Sequence, residues 1–94
     1  MIILSTPSYE ILLAKFEDSN DLRYIVMEIE DGVRQIVDIA ESDNIRLLAS
    51  MIHYKLGTEE YTIHGEWNFG RATTPVTRIQ KILEQYMKME TIDG

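Results

Sequence analysis

Asp31-Gly32 lies between two runs rich in strand-forming residues, 22–30 and 33–40. An Asp-Gly pair tolerates the positive φ of a tight turn, so it commits the chain to two adjacent antiparallel strands. Two registers are open. A two-residue turn sets Ile29 against Arg34 and Ile25 against Asp38. A three-residue loop, Glu30-Asp31-Gly32, with Gly32 left-handed in a bulge, aligns Ile29 with Val33, Met27 with Gln35 and Ile25 with Val37. The second gathers the apolar side chains on one face and is the predicted arrangement.

The neighbouring segments extend this pattern. Residues 9–17, YEILLAKFE, are apolar on both faces: Tyr9, Ile11 and Leu13 point one way, Leu12, Ala14 and Phe16 the other. That pattern predicts a central strand. Residues 17–21 read as a polar turn. Residues 59–69 alternate, with Tyr61, Ile63, Trp67 and Phe69 on one side and Glu60, Thr62, His64, Glu66 and Asn68 on the other, which predicts a half-buried strand.

Two helices are expected. The first spans 41–57, capped by Ser42 or Asp43 and closed by Gly57. Arg46, Ser50, His53 and Gly57 draw one narrow polar stripe, and nearly everything else is apolar, so this helix needs cover on more than one side. A second copy of the chain is one way to supply it, and a homodimer is expected on that ground. The second helix spans 73–90, with Thr74 as N-cap, Pro75 at the first helical position, and Val76, Ile79, Ile82, Leu83, Tyr86 and Met87 on its apolar face. Residues 91–94 are expected to fray.

The order strand, strand, strand, helix, strand, helix predicts an α+β fold: an antiparallel sheet of about four strands with two helices packed on one face. At 94 residues, a single domain over 1–94 is expected. Cysteine is absent, which removes disulfides and thiolate metal sites. The short apolar start at residues 1–4 lacks a basic flank, and no stretch approaches the ~20 apolar residues of a membrane helix, so a cytoplasmic chain without membrane contact is expected.

Charge is unevenly placed. Residues 1–43 carry ten acidic and three basic side chains, which accounts for the whole net charge of −7, and the remainder of the chain balances. Acidity of this kind argues against duplex nucleic acid, whose phosphates need a basic face. It suits a solvated surface or one that attracts a basic partner.

The stretch GEWNFGRATTP, 65–75, has the glycine interval of a phosphate-binding loop. Arg71 and Ala72 replace the lysine and the metal-binding hydroxyl, and Glu66, Trp67 and Phe69 crowd a loop that should be small, so nucleotide hydrolysis is not expected. A weaker anion site is conceivable there. Arg71, Thr73 and Thr74 precede a helix N-terminus, and Trp67 or Phe69 offers a stacking surface for a nucleotide-like ring. Arg78, Lys81, Gln85 and Lys88 follow helical spacing as a modest basic ridge beside it. His64 with Glu60 and Glu66, and His53 with Ser50, lack the further ligands or the orienting acid that metal or nucleophilic chemistry needs. No catalytic residue, metal or cofactor is expected.

The leading expectation is a small acidic, non-enzymatic interaction protein that regulates or inhibits a macromolecular partner as a homodimer. Glu28 and Asp38 on the sheet and Arg46, Ser50 and His53 on the first helix are the candidate contact residues. The alternative is a protein that holds an anionic, nucleotide-like molecule at 65–75 through Trp67, Phe69, Arg71, Thr73 and Thr74.

Overall fold

The computed structural model describes residues 1–89. The elements are β1 (Ile2–Ser5), β2 (Tyr9–Lys15), β3 (Leu22–Glu30), β4 (Val33–Ser42), α1 (Ile45–Leu56), β5 (Thr62–Ile63) and α2 (Pro75–Lys88). All pairings are antiparallel, in the order β4-β3-β2-β1-β5. The class is α+β as expected, with β2 central. Residues 91–94, expected to fray, and the last residue of the predicted 73–90 helix lie outside the described residues.

The extra strand is β1. Its few apolar residues look too short to matter alone, but they pair with β2 on one side and β5 on the other. A register shift between Ile2 and Leu4 lets Ile3 and Leu4 both become fully buried. The predicted 59–69 strand is the opposite case, since only Thr62–Ile63 is in the sheet. Gly65 takes φ +91, and the Trp67 indole N–H donates to the His64 carbonyl at 2.7 Å, folding the chain back on itself. A Cβ at Gly65 would lie 3.1 Å from the indole nitrogen, so this turn needs glycine. Trp67 and Phe69 still pack against the core from the loop.

The β3–β4 hairpin overturns the predicted register. Asp31 and Gly32 both have positive φ, 52° and 78°, the signature of a two-residue type I′ turn, and Ile29 stands opposite Arg34. A bulge further along repairs the apolar alignment. Met27 pairs with Ile36 and Val26 with Asp38, so Val37 drops out of the ladder and Ile25 meets Ile39.

Both helices lie against one face. Leu48, Ala49, Ile52 and Leu56 of α1 and Ile79, Ile82 and Leu83 of α2 form a single cluster with Leu4, Ile11, Leu13, Leu22, Tyr24 and Val26 of the sheet. Each fully buried Leu or Ile contributes about 1.5–3 kcal/mol. The Tyr86 hydroxyl, donating to the Leu13 carbonyl at 3.1 Å, ties α2 to β2. Asn44, rather than Ser42 or Asp43, caps α1 by accepting from the Leu47 N–H, and Ser42 in turn accepts from the Asn44 N–H. Gly57 closes α1, and Thr74 caps α2, as expected.

Candidate interaction surface

Cross-strand pairing sorts the sheet into two faces. Beneath the helices, one rung runs through Ile63, Leu4, Ile11 and Val26 and ends at Asp38. On the other face, a rung runs through Ile2, Leu12, Ile25 and Ile39, and the next through Ser5, Glu10, Met27 and Ile36. Among the described residues nothing covers this second face. Leu12, Ile25 and Met27 are half-buried and outside the core cluster, while Ile36 and Ile39 are 53% and 51% exposed.

Charges on this bare face are paired within the chain. Glu10, only 7% exposed, accepts from Arg34 Nε at 2.6 Å. Glu41 accepts from Arg23 Nε and Nη2 at 3.0 and 2.7 Å, and the Arg23 guanidinium lies 4.9 Å from the centre of the Phe16 ring. An aliphatic middle therefore lies between two ion pairs, the layout of a protein interface with an apolar centre and a polar rim.

A second surface lies on the helix side, at the β4 edge. A groove of about 380 Å³ opens between α1 and β3–β4, lined by Tyr24, Asp38, Ser50, Met51, Tyr54 and Lys55. In it the Tyr24 hydroxyl donates to Asp38 Oδ2 at 3.0 Å. Burial, helped by the hydrogen bond and charge of Asp38, pushes the phenol up to about 12. Leu47, Met51 and Tyr54 form an exposed apolar stripe at helical spacing, with Tyr54 88% exposed. Within the chain α1 is covered by both α2 and the sheet, as one of the expected arrangements has it: Leu48, Ala49, Ile52 and Leu56 face the core, while this stripe stays exposed.

Of the predicted contact residues, Asp38 and Ser50 meet in the groove. The Ser50 hydroxyl donates to the carbonyl of exposed Arg46 at 3.1 Å. His53 is half-buried, and its Nδ1 has no hydrogen-bond partner among the described residues. Glu28 stands between Tyr9 and Gln35 near the hairpin tip, apart from the groove lining.

The 65–75 segment is stitched to α2. The Thr74 hydroxyl accepts from the Thr77 N–H while Thr77 Oγ1 accepts from the Thr74 N–H, a reciprocal cap that uses donors an anion would otherwise take. The Asn68 N–H donates to Gln85 Oε1 and Gln85 Nε2 donates to the Asn68 carbonyl. Arg78 stacks 4.5 Å from the Phe69 ring centre and Lys81 lies 3.7 Å from Glu84, so two cations of the basic ridge have partners within the chain. Trp67 and Phe69 are half-buried; Arg71, Thr73 and Thr74 are exposed. His64 Nε2 lies 2.7 Å from Ser5 Oγ, a pairing across 59 residues that no local pattern announces.

Comparison of the chain with protein-family models, curated proteins and solved structures finds no match. No helix among the described residues is long and apolar enough to cross a membrane.

Proposed function

We propose that this chain is a non-enzymatic interaction protein that regulates or inhibits a macromolecular partner, which it engages through the outer stripe of α1 and the groove beside β4. The observation that carries this reading is Tyr54. It is an aromatic side chain almost entirely in solvent, at the mouth of a groove whose other wall is an edge strand. Large aromatics beside a concave apolar surface supply most of the energy in protein interfaces. Asp38 adds selectivity: its carboxylate, bound by Tyr24 through one oxygen, favours a partner that presents a basic group next to an apolar one.

The reading is tested by affinity capture from source cells with the tagged chain. Tyr54→Ala and Asp38→Lys should each lower recovery of the partner about tenfold, which corresponds to about 1.4 kcal/mol. Both variants should retain the wild-type circular dichroism spectrum. Undiminished capture by both folded variants refutes the reading.

A further inference from the structure

We infer that the bare face of the sheet is closed by the same face of a second copy, so that two chains stack sheet on sheet. Three observations select this occupant. The first is extent. Four strands at about 4.8 Å spacing and about seven residues at about 3.4 Å outline roughly 19 by 24 Å, near 450 Å² in plan before the relief of standing side chains is added. Each face approaches the roughly 600 Å² a side at which specific interfaces begin, and its extent matches the roughly 300–600 Å² of the largest surface patches on monomers, which are often functional.

The second is charge. The chain carries −7, yet the acids on this face, Glu10 and Glu41, are each held by an arginine. Copies can meet here without placing unpaired like charges in contact. A basic partner would instead find its counter-charges in the exposed turns, at Glu17, Asp18, Glu30 and Asp31.

The third is chemistry. The rung Ile2, Leu12, Ile25 and Ile39 is a flat aliphatic row with no polar group to read a foreign sequence. A two-fold axis matches such a row to itself, and stacked sheets interdigitate aliphatic side chains at about 10 Å separation. Face-to-face stacking leaves the outer edge of β4 and the α1 groove open, so this interface is independent of the partner reading above.

Sedimentation equilibrium of the full chain tests the inference. The wild type should run at twice the chain mass in the micromolar range. Ile39→Lys and, as a second variant, Ile36→Lys should run as monomers with the wild-type circular dichroism spectrum; both positions are already half in solvent, so the fold tolerates the change. Tyr54→Ala should remain dimeric. A wild type that stays monomeric up to millimolar concentration overturns the inference. A dimer that survives both lysine variants, or that Tyr54→Ala dissolves, overturns it as well.

Discussion

One sheet carries two aliphatic faces of unequal fate. Val26 and Ile25 are neighbours on β3; the first is fully buried beneath the helices and the second is only half-buried on the far side. The amino-acid types do not separate the two faces, since both carry Ile, Leu and aromatic side chains. What separates them is supply: the two helices are used on one side, and the outward residues of α1, Leu47, Met51 and Tyr54, stay exposed beside the β4 edge. An aliphatic side chain is a core residue only where another element arrives to cover it.

That contrast is broken most forcefully by truncation on each side. Ile52→Ala, beneath the sheet in α1, should cost about 2–5 kcal/mol in urea unfolding. Ile25→Ala, at a half-buried position, should cost less, about 1–2 kcal/mol in dilute solution, where copies are apart. The difference should narrow as protein concentration rises, because a dimer interface adds to stability by mass action. Equal costs at all concentrations would show that the faces are equivalent.

The ion pair on the bare face gives a smaller effect. Arg34→Ala leaves the nearly buried Glu10 carboxylate without its partner and should cost about 1–2 kcal/mol, the lower value if water reaches the carboxylate. Restoring the balance with Glu10→Gln in the same chain should recover part of it. Gly32→Ala, at φ +78 in the turn that places β4 for both faces, should cost about 1 kcal/mol irrespective of concentration.

A pH effect separates the faces chemically. The Tyr24 phenol sits on the helix side, with its folded value near 12 against an ordinary 10.0. The folded state holds that proton more tightly, so its contribution is complete below pH 10 and is lost as pH rises toward 12. Burial raises Tyr86 in the same direction. Urea midpoints followed upward from pH 10 should fall less steeply in Tyr24→Phe than in the wild type, while Ile39→Lys keeps the wild-type slope.

Local patterns made much of this architecture legible. The two-faced apolarity of residues 9–17 placed β2 at the centre, and the caps Thr74 and Gly57 follow from residue type and position. The hairpin register departs from the predicted one although its premise holds. Aliphatic side chains do gather, but a bulge at Val37 achieves it, and a bulge leaves no mark in a run of apolar residues. The exposure of Tyr54 and Met51 is not legible in the sequence, because periodicity says which residues share a face and not whether anything covers it. Leu12 and Ala14 carry the signal of a second apolar face, which the two helices among the described residues leave bare. Ser5 and His64 meet only through the β1–β5 pairing, which neither segment displays alone.

Thiol labelling at two matched sites tests the distinction between the faces most directly. The chain contains no cysteine, so a single introduced thiol reports only its own position. Ile39 on the bare face and Leu47 on the outer stripe of α1 are 51% and 49% exposed, so Ile39→Cys and Leu47→Cys should react at similar rates in dilute solution. As concentration rises through dimer formation, labelling at Ile39→Cys should slow severalfold while Leu47→Cys is unchanged. Rates that stay constant at both sites, or protection at Leu47→Cys instead, would contradict the account.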